Sequence, residues 1–167
     1  MAKDRPYTEA ERRQRALFQQ APVWIEWLAA MDEQRARFFS ETVPDMPADP
    51  WSPEGLDHAE AAALRRFPDM ESVELPKNRD IADQFHRYVG ETFRRNFGGK
   101  WYNVPSFDDE QRSRGFGPII RDEFSAEYLD VITLLTASMH RRTGSEWSRI
   151  FGFVAQEYAA WKEGSST

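Results

Sequence analysis

The stretch NRDIADQFHRYVGETFRRNFGGKW, residues 78–101, decides the fold of this chain. Its apolar residues recur at spacings of three and four, which predicts an amphipathic helix with one broad buried stripe. Asn78 suits the N-cap, and Gly98 and Gly99 suit the left-handed conformation that commonly ends a helix. The aromatic and β-branched residues of the segment 100–104 then predict a strand. The helical stripe consists of Ile81, Phe85, Tyr88, Val89, Phe93 and Phe97.

Gly90 interrupts this helix with a residue that costs about 1 kcal/mol relative to alanine. It lies at the edge of the apolar stripe, so the close approach of another group would explain it. We predict that a backbone or a large ring lies against Gly90, and Trp101 is the candidate. The alternative is a bound ligand that fills the same space.

A second strand and further helices are predicted around this centre. Phe116–Arg121 is predicted to pair with the first strand in an antiparallel hairpin, which must pack against helices because it is marginal alone. Thr8 and Glu11 predict a capping box at the start of a helix. The sequence leaves open whether residues 8–41 form one kinked helix or two helices divided at Pro22. Residues 67–77 are predicted to be a loop, with a short strand at 72–75 as an alternative. Other helices are predicted at 53–66, at 126–142 with Ser125 as cap, and at 143–162 with a capping box at Thr143 and Glu146.

The whole chain of 167 residues is expected to be one domain, with flexible tails at 1–7 and 164–167. The expected fold class is α+β and predominantly helical, with five or six helices packed around a small antiparallel β-hairpin. Residues 43–53 are rich in proline, with one proline at every third position from Pro44. Polyproline II has three residues per turn, so this segment is either a docking ligand or an extended strap between helices. We predict the strap, with Met46 and Trp51 packed onto the domain.

Composition and charge exclude several functions. The absence of cysteine excludes disulfides, thiol catalysis and thiolate metal sites. The net charge is −6, and acidic residues outnumber basic ones by fifteen to nine in residues 1–76. This acidity argues against nucleic-acid binding and favours a basic partner for the N-terminal half. With neither a signal peptide nor an apolar run long enough to span a membrane, the sequence predicts a soluble, cytoplasmic protein without membrane contact.

The histidines and carboxylates form no recognisable catalytic or metal-binding pattern. His58, His86 and His140 lie on different predicted helices. Glu54 and His58 are one helical turn apart, but two ligands do not make a metal site. Glu91 and Glu127 have no partner at the spacing that paired acid–base catalysis requires. We therefore predict no catalytic residue, no metal and no cofactor.

The sequence Tyr88-Val-Gly-Glu91 followed by Phe97-Gly-Gly-Lys-Trp101 resembles an arrangement in small uncharacterised bacterial domains. In those domains a Tyr-x-Gly-Glu helix leads through Gly-Gly into a strand that opens with tryptophan. The resemblance covers residues 78–121 and implies a small α+β domain of unknown function. Some similar acidic bacterial domains neutralise toxins or bind partner proteins, and no catalytic residues come with the resemblance.

The favoured hypothesis is a non-enzymatic protein that binds another protein, with a toxin-neutralising or regulatory role as its narrower form. The first alternative is an enzyme or small-ligand binder whose pocket is lined by His86, Glu91, Trp101 and Tyr102. The second alternative is a homo-oligomeric structural module that buries surplus tryptophan and phenylalanine. For the favoured hypothesis, the predicted partner-binding residues are Asp45, Asp49, Trp51, Glu54, Phe107, Asp108 and Asp109.

Overall fold

The structure is a computed structural model that describes residues 7–105, 115–125 and 127–165. Within these ranges it has eight α-helices and a three-stranded antiparallel sheet, which confirms the helix-rich α+β class. The helices are α1 (Glu9–Phe18), α2 (Pro22–Ala29), α3 (Met31–Arg37), α4 (Pro53–Arg66), α5 (Met70–Glu74), α6 (Arg79–Phe97), α7 (Val131–Arg141) and α8 (Glu146–Ser165). The strands are β1 (Lys100–Asn103), β2 (Pro118–Arg121) and β3 (Tyr128–Asp130), in the order β1-β2-β3.

The N-terminal region contains more helical segments than the sequence predicted. The side chain of Thr8 accepts a hydrogen bond from Glu11 N, and Glu11 returns one to Thr8 N, which confirms the predicted start of α1. Pro22 opens α2 as expected. The chain then bends at Ala30, where φ is −85° and ψ is 0°, before α3 begins. A π-helical turn at Phe38–Thr42 follows, so the region is neither one helix nor two.

The helix predicted at 126–142 begins five residues later than expected. The three residues of β3 precede it and pair with β2, so the predicted hairpin is a three-stranded sheet. The side chain of Asp130, in place of the predicted Ser125, caps α7 by accepting hydrogen bonds from Ile132 N and Thr133 N. Pairing with the neighbouring strand β2 supplies hydrogen bonds to this segment, and an apolar helical pattern does not indicate such a partner.

Other predicted element ends also differ in the structure. The alternative strand at 72–75 is wrong, because Asp69 and Ser72 form a capping box that starts α5. Asn78 occupies the N-cap position of α6, but its amide nitrogen donates to Ser72 O at 2.7 Å and does not cap the helix. Asparagine side chains bond readily to nearby backbone groups, and here the preceding turn provides the acceptor.

The predicted tails are shorter where the structure describes them. Arg12 donates to the carbonyl of Tyr7 at 3.1 Å, and the Arg15 guanidinium lies 3.9 Å from the centre of the Tyr7 ring. At the other end, α8 continues through Gly164. Residues 1–6 and 166–167 of the predicted tails lie outside the described residues.

The start of α8 depends on a residue from another helix. Thr143 accepts a bond from Ser145 N at 3.2 Å, and the predicted capping box with Glu146 does not form. The buried carboxylate of Glu60 in α4 instead accepts hydrogen bonds from Glu146 N at 3.1 Å and Trp147 N at 2.8 Å. Burial raises the pKa of Glu60, and the two backbone bonds partly offset that effect. A carboxylate at a helix N-terminus satisfies otherwise unpaired N–H groups.

Helix α6 lies at the centre of the molecule and contacts α3, α4, α7, α8 and β2. The predicted stripe is confirmed: all its members are buried except Ile81, which is half-buried. The interpretation of Gly90 is also confirmed, because a Cβ at that position would lie 2.0 Å from Cη2 of Trp101. The indole of β1 therefore packs directly on the helix backbone. At the end of α6, Gly98 adopts a φ of 79°, which favours glycine.

Gly90→Ala should lower the free energy of unfolding by about 1–3 kcal/mol, because the indole must shift within a packed core. Gly152→Ala is the matched control, since no atom lies within 4 Å of the position its Cβ would take in α8. That substitution should raise the free energy of unfolding by about 0.5–1 kcal/mol through helix propensity. Urea unfolding followed by circular dichroism measures both changes, and equal effects at the two glycines would contradict the packing at Gly90.

Glu60→Gln should lower the free energy of unfolding by about 1–3 kcal/mol, because the amide offers one acceptor oxygen to two buried N–H groups. Glu54→Gln removes the same charge from the exposed first turn of the same helix, and it should change stability by less than about 0.5 kcal/mol. The same urea experiment compares the two variants. A Glu60→Gln variant as stable as Glu54→Gln would show that the cap contributes nothing.

Candidate functional site

The predicted strap is present, and it connects the π-helical turn to α4 through residues 43–52. We call this segment the strap. Met46 and Trp51 are partly buried against the core, as predicted. Turns and bends make up the segment, so it does not form a continuous polyproline II helix. The docking mode that requires such a helix is therefore not supported by the conformation of the strap.

The strap is held against α6 by hydrogen bonds and by ring contacts. Tyr88 donates from its hydroxyl to Pro50 O at 2.6 Å, and burial raises the pKa of Tyr88. Asn96 donates to Trp51 O at 2.8 Å. The Arg95 guanidinium lies 4.3 Å from the centre of the Trp51 ring, a cation–π contact. These contacts fix both the backbone and the largest side chain of the strap.

An acidic surface covers the strap and its two ends. Asp45 lies 3.2 Å from Nε2 of His58, and its contact with the imidazole lowers the pKa of Asp45. Asp49 accepts a bond from Trp51 N at 3.1 Å and so forms part of a turn. Trp51 packs inward against the core, and Glu54 is exposed in the first turn of α4 and forms no hydrogen bond or ion pair through its side chain with the described residues. We define the acidic surface as the exposed residues Glu41, Asp45, Asp49, Glu54 and Asp57.

The second predicted contact region, Phe107, Asp108 and Asp109, lies outside the described residues. The structure therefore places only the strap side of the predicted partner-binding surface. The sixth acidic residue between positions 41 and 60 is Glu60, which is buried as the cap of α8 and does not belong to that surface.

Glu91 on α6 is a buried carboxylate bound by several cationic side chains. Arg94 donates to it at 2.8 and 3.0 Å, and Trp101 donates from Nε1 at 2.8 Å. Arg35 approaches to 3.5 Å and Arg95 to 3.6 Å. Burial alone raises the pKa of Glu91, but the bonds from Arg94 and Trp101 and the arginine charges lower it overall. The sequence analysis considered only a second carboxylate as a partner for Glu91 and did not predict these cations, although the arginines at i+3 and i+4 were a signal in the sequence.

The residues predicted to line a ligand pocket lie in different directions. His86 and Glu91 are five residues apart on α6, which separates them by about 140° around the helix axis. Trp101 and Tyr102 are adjacent in β1 and point to opposite faces of the strand. The Trp101 indole lies against Gly90, while Tyr102 stacks near Arg121, 5.7 Å from ring centre to guanidinium. Glu91 is thus a structural centre that joins α3, α6 and β1.

A small cleft that the sequence did not predict opens beside α8. Three carboxylates line it, and two of them, Asp122 and Glu157, come from the segment after β2 and from α8. Burial and the nearby charge of Glu157 raise the pKa of Asp122 to about 6. The two residues are far apart in sequence, so no local spacing could have indicated that they meet.

Comparison with known proteins gives no family assignment: no family model, no curated protein and no solved structure matches this chain. The resemblance to bacterial domains therefore stays a prediction. Across the described ranges, no three histidine or acidic side chains form a group that could hold a metal ion. None of the helices in those ranges combines the length and the apolar character that crossing a membrane requires.

Glu91→Gln should lower the free energy of unfolding at pH 7 by about 1–3 kcal/mol, because the arginines around it lose their counter-charge but stay partly solvated. The lowered pKa means that the carboxylate stabilises the fold above its ordinary value of 4.5 and loses that effect as the pH falls further. Urea unfolding of both proteins at pH 7 and at several values below 4.5 measures the difference. A difference that stays constant down to the acid limit of folding would contradict a role for the charge.

Proposed function

We propose that this protein is a non-enzymatic module that binds a partner protein with a basic surface through the acidic surface. One observation carries the proposal: exposed carboxylates stand on a strap that is fixed to α6 by Tyr88, Asn96 and Arg95. A toxin-neutralising or regulatory role is the narrower form of the same proposal. A cytoplasmic location is part of it.

Order in the strap supports binding because association does not have to arrest a mobile loop. Ordering an interface loop and its side chains opposes binding, so a surface that is ordered beforehand binds more tightly. The prolines restrict the unfolded strap and favour its ordered form. The Tyr88 and Asn96 bonds then hold the backbone at Pro50 and Trp51, between the acidic residues of the strap and those of α4.

Charge supports a basic partner. No basic residue occurs between Glu41 and Leu64, so the acidic surface has no cation of its own along that segment except when His58 is protonated. From the helix before this segment, Arg37 donates a hydrogen bond to Glu41 at 3.3 Å. A patch with an excess of one sign attracts an opposite charge and raises the association rate, an effect that salt weakens. Individual surface ion pairs add little affinity, so the expected effect is one of rate and selectivity.

The decisive variant is Glu54→Lys with Asp57→Lys, because these residues share one face of α4 and their charges can be reversed without removing a strap contact. Reversal at Asp45 or Asp49 would also disturb the His58 contact or the turn at Trp51. The matched control is Glu71→Lys with Glu74→Lys, which has the same spacing, exposure and charge change on α5.

Affinity capture from the source extract, followed by mass spectrometry, should recover the same basic protein with the wild type and with the α5 control. The α4 variant should lose about tenfold or more of that protein, and capture by the wild type should weaken as salt rises. Light scattering across protein concentration reports self-association in the same samples. Equal capture by the α4 and α5 variants, or capture that salt leaves unchanged, would overturn the proposal.

A further inference from the structure

The cleft beside α8 has a volume of about 70 Å³ and lies between this helix and the segment that joins β2 to β3. Its polar edge carries the acidic residues Asp122, Glu127 and Glu157, with Ser125 and Tyr128, and no lysine, arginine or histidine of the described part of the chain lines it. Such a lining accepts hydrogen bonds and repels anions. Its apolar wall consists of Phe124, Leu129, Ile150, Phe153 and Val154.

Asp122 is placed at this cleft by the glycine turn that ends α6. A Cβ at Gly99 would lie 2.7 Å from Oδ1 of Asp122, and only the missing side chain leaves room for the carboxylate there. Gly99 has a φ of 94°, which also favours glycine. Among the described residues, no side chain or backbone N–H donates a hydrogen bond to Asp122. One side of the half-buried carboxylate therefore packs against the turn, and no donor among the described residues hydrogen-bonds to its charge.

Phe153 gives the cleft an apolar rim that the fold itself leaves uncovered. Its side chain is 52% exposed, although it belongs to α8 and stands beside buried Phe151. The Arg149 guanidinium lies 5.6 Å from the centre of the Phe153 ring, but Arg149 is bound to Glu146 at 2.6 Å and does not line the cleft. An aromatic rim next to unmatched carboxylates suits a ligand that is apolar at one end and positive at the other.

We propose that this cleft binds a small organic cation, an alkyl amine whose ammonium group lies between Asp122 and Glu157 and whose chain contacts the apolar wall. The three ammonium N–H groups would supply the donors that the two carboxylates lack in the protein. The small volume restricts the ligand to a short amine. Anions are disfavoured because the lining offers them no positive group.

Binding should depend on pH because a proton competes with the ammonium group. The pKa of Asp122 is raised to about 6, by burial first and by Glu157 second, so Asp122 gains its charge as the pH rises through that value. The other titratable residues of the lining are Glu127 and Tyr128, and they contribute no positive charge. Affinity for the amine should therefore rise between about pH 5 and pH 7 and then level off.

The test uses butylammonium as the probe, with butanol and butyrate as uncharged and anionic controls, and follows amide shifts of the full chain by NMR. We expect saturable shifts at residues of the cleft with butylammonium and much weaker shifts with either control. Asp122→Asn and Glu157→Gln should each weaken binding about tenfold. Glu123→Gln, an exposed neighbour that does not line the cleft, should leave binding unchanged.

Three results would overturn the proposal: equal binding of butanol, no shift at the cleft under saturating probe, or an affinity that does not change between pH 5 and pH 7. The pH series on the wild type keeps the test decisive if a variant fails to fold. The Glu54→Lys/Asp57→Lys protein should bind butylammonium normally. Amine binding and partner capture can therefore fail independently.

Discussion

The contact between the Trp101 indole and the backbone at Gly90 is the constraint on which the rest of the structure depends. The ring approaches so closely that no other residue fits at position 90 without a shift, and its Nε1 also donates to the buried carboxylate of Glu91. Trp101 pairs with Ile120 across the sheet, and Ile120 pairs with Leu129. The contact between one aromatic ring and one missing side chain thus connects the three-stranded sheet to α6.

The acidity of the chain divides into two physically different groups. Glu60 and Glu91 are buried, and each is compensated locally, one by the N-terminus of α8 and the other by arginines. Burying an uncompensated carboxylate would cost several kcal/mol, so these contacts are conditions for the fold. The carboxylates of the acidic surface remain in water, where they cost little and are free to attract a partner. Charge counts in the sequence cannot separate buried carboxylates from exposed ones, because only the fold determines which of them are buried.

What could be predicted from the sequence was encoded in neighbouring residues. The stripe of α6, the close approach at Gly90, the Thr8 capping box and the packed strap all follow from patterns within single short stretches of the sequence. The features that were missed depend on pairing or packing between separate elements. Asp130 had to be the cap of α7 because β3 pairs with β2, and Glu60 caps a helix that begins 86 residues later in the chain. The candidate cleft depends likewise on Asp122 meeting Glu157.

Helix α6 links the acidic surface to the core, which explains how a proline-rich strap can be a rigid part of the molecule. Tyr88 and Asn96 bond to the strap, while Gly90 and Glu91, between them on the helix, hold Trp101. The geometry of the exposed carboxylates is thus set by the same helix that positions the sheet. The basic partner that we propose would meet carboxylates on a backbone that is ordered before contact, so ordering of the strap would not offset the electrostatic attraction.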